Sequence, residues 1–461
     1  MRQAALFLVR PWRASGASGQ RLGLLLIVTL VWDLLLTADK QVSGKPVILM
    51  IVLTVVGYPI LVLFCVLALR QPTIARLFRW RPERILQVAP LLVVIASLTI
   101  IAEAPNLLRP SAPIADDVTA SIICAARDAI HGHDPYSTPE LACFRSLRAS
   151  PNLGTPLQRG LLQHQLSYPS SQQLSHVAAM ARRHGGKSSA FAIFGYPPMA
   201  FAWMIPAAWS NHSGWVAFTL ICAVIWLLLA GIVSAELWPA VVLLLLLQFG
   251  DGSVLGAATQ GDGEFFAYAA MTLSLMLIDR RRFSSILLAL AMATNPLAWG
   301  VAVGYAFYTR TLPGFKERIV WTVGALLITV GPWLVFEPHA LRSMVGLITQ
   351  PNFGFGIGLI NAFGPAPSPV LRHVMFAVLA LSFLGLCAFT WRRREWLPIL
   401  PVVAVAFMWL GWRSDVNYLA QVFPLAVGMA VGLHRLNKQR PLPLDTRSSE
   451  LAGIAGAGAA G

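Results

Sequence analysis

Residues 214–250 read GWVAFTLICAVIWLLLAGIVSAELWPAVVLLLLLQFG, with Glu236 the sole charge in the stretch. An apolar run of this length, interrupted only near its middle, predicts two bilayer-crossing helices over 214–234 and 237–250 with a tight reversal between them. Comparable runs recur from residue 22 to residue 434, separated by short basic stretches. The chain of 461 residues is 56% hydrophobic and 12% charged, and its mean hydropathy is +0.66. That charged share is about half the share usual in soluble domains, which excludes a soluble globular enzyme. Disorder is excluded too, because chains that fail to collapse are poor in apolar residues and rich in charge. The predicted fold class is an all-α polytopic membrane protein.

The net charge of +15 raises the question of nucleic acid, and the placement of the basic residues answers it. Of the 35 lysines and arginines, 22 cluster at Arg2 to Arg21, Arg70 to Arg84, Arg280 to Arg282, Arg310 to Arg318, Arg392 to Arg394 and Arg435 to Arg447, in each case beside an apolar run. Positive loops face the cytoplasm, so the excess sets topology and implies no nucleic-acid partner. Both termini are then expected in the cytoplasm. The N-terminal run lacks a small-residue cleavage site and is expected to stay as an anchor.

Spans are expected over 22–38, 47–69 and 85–103, forming an N-terminal segment, 1–103. An outer loop, 104–213, follows, and unbroken loops of such length usually carry function. Within it, YPPMAFAWMIPAAW (196–209) is too short and too rich in proline to cross, and it is expected as an interfacial helix. A C-terminal bundle, 214–440, takes the total to about twelve spans, with 284–309 broken at Asn295-Pro296 because proline removes a helical hydrogen bond. The segment 441–461 is expected as a disordered cytoplasmic tail. Of the five cysteines, Cys124 and Cys143 share the outer loop, where disulfides persist, and are expected to pair.

On this topology the uncompensated polar residues gather on the outer face, where charged and amide groups need partners or a wet cavity. The sharpest group is ADDVTASIICAARDAIHGHDPY (115–136). Ile122, Ile123, Ala126, Ala129 and Ile130 repeat at helical spacing, Gly132 supplies a left-handed stop and Asp134-Pro135 a turn. Asp116 and Asp117 stand where a carboxylate caps a helix. Capping is compatible with catalysis, since a carboxylate held ionised at a helix start can take a proton from a hydroxyl. His131 and His133 straddle Gly132 and share no helix face, so no metal site is expected. Tyr196 and Trp203 read as interfacial aromatics, and Arg413 with Asp415 as a pair at a span end.

An Asp opening an amphipathic helix in the first outer loop, then G-x-D-P-Y (Gly132 to Tyr136), then Y-P-P (Tyr196 to Pro198), resembles the family-87 glycosyltransferases. Looser matches are Gln260-Gly261, the Asn295-Pro296 break and the loop around Asn352. The resemblance implies a GT-C-like bundle that moves a hexose, mannose favoured, from a polyprenyl-phosphate carrier to a glycan or glycolipid acceptor. The site would face outwards from a bacterial plasma membrane, with membrane lipid as a partner and no cofactor beyond the lipid-linked donor. Asp117, with Asp116 second, maps to the catalytic base. Where the family pattern has Lys-Pro this chain has Asn295-Pro296, so Arg413, then Arg127, is assigned to the leaving phosphate. Gln260, Asn295, Tyr136 and Tyr196 complete the expected substrate-binding set. The rival is a transporter or flippase, to which Asp33 within the first span lends weight.

Overall fold

The computed structural model describes residues 17–42, 56–70, 86–109, 117–138, 141–147, 170, 172–173, 194–247, 254–337, 340–341, 344, 355–356, 369–410, 413–414 and 416–439. The described chain is helical but for a parallel pair of two-residue strands, β1 (Phe355–Gly356) and β2 (Arg413–Ser414). Three helices open it: α1 (Ala17–Val42), α2 (Gly57–Arg70) and α3 (Ala89–Leu107). The next segment contributes α4 (Asp117–Ile130), α5 (Leu141–Ser146) and α6 (Met199–Ala202). The bundle proper holds α7 (His212–Ser234), α8 (Trp238–Leu247), α9 (Val254–Gln260), α10 (Glu264–Met276), α11 (Arg281–Thr294) and α12 (Leu297–Thr309). It continues with α13 (Phe315–Thr329), α14 (Gly331–Phe336), α15 (Pro369–Arg392), α16 (Leu400–Ala406), α17 (Val416–Ala420) and α18 (Val422–Gln439).

The 214–250 stretch doubles back as expected. Ala235 takes a positive φ of 48°, and Gly231 of α7 comes to face Val242 of α8. The proline-rich stretch after Tyr196 likewise stays short, as α6 and a single tight turn at Ile205–Ala207. Asn295-Pro296 separates α11 from α12. Among the described residues, five helical runs are long and apolar enough to cross a membrane: Ala17–Leu35, Leu86–Leu107, His212–Leu247, His373–Arg392 and Tyr418–Gln439. Five is fewer than the expected twelve for identifiable reasons. The reversal at Ala235 makes His212–Leu247 one run of two helices, while α10, α11 and α12 have 13, 14 and 13 residues. The predicted tail, 441–461, lies outside the described residues.

Two cores organise the molecule. The larger one is built by α1, α2, α7, α8, α10, α16 and α18; the smaller one joins α4 to Phe144, Phe194, Tyr196, α6 and Trp215, and Phe266 packs against both. Helix α18 runs through the larger core, with its backbone close to α10. A side-chain carbon on Gly428 would sit 2.7 Å from the Thr272 carbonyl oxygen, and one on Gly432 would collide with that of Leu275. Two glycines one turn apart thus let the helices touch, as small residues do within bilayers. Peripheral helices turn Leu91, Leu98, Ile101, Ile328, Val370 and Leu381 outwards, and the outer face of α7 does the same with Ile221, Leu228 and Ile232. So broad an apolar exterior is foreign to water-soluble monomers and fits a hydrocarbon surrounding.

The basic groups meet at one end of this bundle. Arg435 grips Asp279 through Nε at 2.8 Å and Nη2 at 2.9 Å, and also donates to the Val233 carbonyl. Lys438 reaches Glu236, Arg281 and Arg282 converge on Glu317, and Arg70 pairs with Glu395 while lying over the Trp396 ring. Helix α10 leads away from this basic end, and its 13 residues span about 20 Å at 1.5 Å per residue. At its other end stands α4.

Candidate functional site

Helix α4 follows directly from its residues. Its apolar face, Ile122, Ile123 and Ala126, is fully buried, and the helix stops where Gly132 takes φ +74°. The His133 amide bonds the Asp128 carbonyl at 2.9 Å across that stop. Asp134 then accepts the Tyr136 amide at 2.9 Å, the Asx turn that an Asp-Pro step favours. Tyr136 is carried inward, where its hydroxyl donates to the Tyr196 carbonyl at 3.0 Å. Burial pushes that phenol well above its usual range, with the Asp134 charge adding to the effect. Phe194 packs on Tyr136, and Phe201 links Phe194 to Trp333. The Cys124–Cys143 bridge ties α4 to α5, with Cα atoms 5.9 Å apart.

Arg127 and Asp128 take positions the sequence did not disclose. Arg127 donates to the carbonyls of Ala208 at 2.9 Å and Ser210 at 3.3 Å, anchoring α4 on the turn before α7. Partial burial lowers its pKa. Asp128 sits beside His133 at 4.0 Å. Burial raises its carboxyl above the usual range, His133 and His131 oppose that shift and Asp134 adds to it. His131 donates through Nδ1 to the Arg127 carbonyl at 2.7 Å.

Next to α4 lies a buried polar cluster. Gly263 packs against Ile122 of α4 and the Ala200 carbonyl of α6, which brings the start of α10 under the loop helices. Asp262 and Glu264 are each 1% exposed. The Asp262 carboxylate accepts the Glu264 amide at 2.8 Å, opening α10. Glu264 in turn accepts the Tyr268 hydroxyl at 2.7 Å on one oxygen and the Asn295 side-chain amide at 2.7 Å on the other. Asn295 uses its own oxygen for the Leu297 amide at 2.8 Å and so starts α12. Trp203 completes the wall, stacked on Phe266 at 4.9 Å and donating to Thr294 at 3.0 Å.

Of the expected site residues, Tyr136 and Tyr196 are bonded to each other, and Arg127 lies on the same helix as Asp117. Asn295 belongs to the Glu264 cluster, and Gln260 ends α9 just before it. Asp117 is the first residue of α4, and Asp116 lies outside the described residues. Arg413 is joined to Phe355 by backbone pairing in the β1–β2 ladder. Asn352 and Asp415 lie outside the described residues. Glu264 as the partner of Asn295, and Tyr268 as the second donor to Glu264, were missed. Their i to i+4 spacing, beside an amide at a helix break, was the available signal. Comparison with protein-family models, with curated proteins and with solved structures yields no match.

Proposed function

We propose that this chain is an integral-membrane hexosyltransferase. It transfers a sugar, mannose favoured, from a polyprenyl-phosphate carrier to an acceptor hydroxyl at the outer face of a bacterial plasma membrane. About twelve passes in a GT-C-like arrangement, with both termini cytoplasmic, belong to the same proposal. The observation that carries it is the meeting of α4, opened by Asp117, with the buried Glu264–Asn295 cluster at the end of the bundle remote from the basic clusters. In this reading Asp117 takes the acceptor proton, with Asp116 as the alternative base. The acceptor oxygen then forms the bond to the anomeric carbon as the bond to the carrier phosphate breaks, with inversion. Arg413 stabilises the departing phosphate, where negative charge accumulates.

The test is transfer of radiolabelled sugar from polyprenyl-phosphate-mannose to lipid or glycan acceptors in membranes with and without the protein. Product that depends on the protein and falls at least about 100-fold in Asp117→Asn, the lower range for a general base, is the expected result. Full activity in both Asp116→Asn and Asp117→Asn would remove the base assignment. A transporter is the second reading, favoured by one observation: Glu264 is buried beside a helix break, as in carriers that bind their cargo at broken helices. Uptake or flipping without sugar transfer would favour it.

A further inference from the structure

A cleft of about 420 Å³ opens between the turn after α4 and helix α14, lined among others by His133 and Asp134 on one side and Trp333, Phe336 and Glu337 on the other. This volume lies in the range of small-molecule sites, about 300–1,000 Å³. Nothing in the proposed transfer chemistry uses these residues. We propose that the cleft holds the neutral, hydroxyl-rich headgroup of a lipid, seated against Trp333 with its chain lying along α14 and α13. Calling that lipid the acceptor rests on the transferase reading; the binding itself does not.

Three observations select this ligand. Trp333 is half-buried, and Phe201 braces it with ring centroids 5.1 Å apart and planes at 88°. A fixed indole offers its electron-rich face to the C–H face of a pyranose. Asp134 and Glu337 bring carboxylates to opposite walls. Asp134 spends one acceptor site on the Tyr136 amide, and a carboxylate has about four, so capacity remains for sugar hydroxyls. The described lining contains these two carboxylates and no lysine or arginine. Two carboxylates against a single imidazole, His133, disfavour a phosphate and suit a neutral polyol, which sets this occupant apart from the phosphate-bearing donor. Thirdly, the cleft opens onto an apolar strip. Phe336 is 78% exposed and Val335 76%, and Ile328 and Leu327 continue the strip along α13. A polar headgroup beside such a strip describes an amphiphile, not a soluble sugar.

Binding can be read without any transfer reaction, so its failure and the failure of the transferase reading are separable. The full chain, in nanodiscs of phosphatidylcholine, is titrated with tritiated octyl mannoside in a scintillation proximity assay. Trp333→Ala and Glu337→Gln should each weaken binding about tenfold or more, Trp333→Phe should retain most of it, and Phe283→Ala, at the basic end, should change nothing. Octyl phosphate and methyl mannoside should both bind at least tenfold more weakly than octyl mannoside. Unchanged affinity in Trp333→Ala and Glu337→Gln would overturn the site. Equal binding of octyl phosphate would overturn the choice of a neutral headgroup, and equal binding of methyl mannoside would overturn the lipid chain. Should Trp333→Ala fail to fold, Glu337→Gln and Phe336→Ala carry the same test at positions outside the buried core.

Discussion

The two ends of the bundle hold their carboxylates in different ways. At the basic end, acids are matched to cations: Asp279 to Arg435, Glu236 to Lys438, Glu317 to Arg281 and Arg282, and Glu395 to Arg70. At the α4 end, acids accept bonds from neutral donors: Glu264 from Tyr268 and Asn295, Asp262 from a backbone amide, and Asp134 from the Tyr136 amide. A cation neutralises a carboxylate and commits it to structure. Neutral donors fix the position of the oxygens and bring no opposing charge. The first arrangement suits anchoring, and the second holds carboxylate oxygens in place without a cation.

The comparison can be broken most severely at Arg435. Asp279 has a side chain only 1% exposed, so Arg435→Ala leaves it with Arg280 at 3.8 Å and Gln439 at 3.0 Å and should cost about 3 kcal/mol. Thermal unfolding in nanodiscs should show that loss, and Asp279→Asn combined with Arg435→Ala should recover part of it. If Arg435→Ala were neutral, the pairing at the basic end would not be structural. At the α4 end the largest expected effect comes from Cys124→Ser, which frees a pair separated by 19 positions. Chain-entropy arguments put such a closure at about 3 kcal/mol. A reducing agent should lower the unfolding temperature of the native chain to that of the variant.

Asn295→Ala should cost about 1–3 kcal/mol, because it removes one donor from buried Glu264 and the cap on the Leu297 amide. Adding Glu264→Gln removes the carboxyl oxygen that Asn295 serves, so the double variant should lose less than the sum of the singles. Strict additivity in that cycle would mean that the two side chains do not communicate. The smallest effect concerns Asp128. Its folded pKa is raised above 3.8, chiefly by burial, so the folded state holds the proton more tightly than the unfolded state. Stability should therefore fall as pH rises from about 3.8 through the folded pKa. Asp128→Asn should flatten that part of the stability profile, and an unaltered slope would assign it to another group.

Much of the fold was legible in the sequence because it depends on local pattern. The reversal near residue 235, the break at Asn295-Pro296, the stop at Gly132 and the turn at Asp134 each follow from the conformational limits of a few neighbouring residues. The Cys124–Cys143 pair was accessible because only two cysteines share the loop. The site was less legible. Asn295 bonds a residue 31 positions away, and Arg127 reaches carbonyls 81 and 83 positions ahead. Such partners are chosen by which helix faces meet, and one sequence does not state that. Topology probes show the same limit. Ser284 would be a natural cysteine-labelling site beside Arg280 to Arg282, yet it is fully buried and bonded to Ser274 and Tyr305. Arg310 and Ser137, both exposed, are the informative pair.

The Cys124–Cys143 bond joins α4 to α5, and such bonds persist only where the surroundings are oxidising. On the proposed topology, a newly made chain whose loop has not yet crossed the membrane lacks that clasp. The helix opened by Asp117 is then less firmly held on its platform. On the proposed outward topology, export and oxidation would together act as a maturation step for this face.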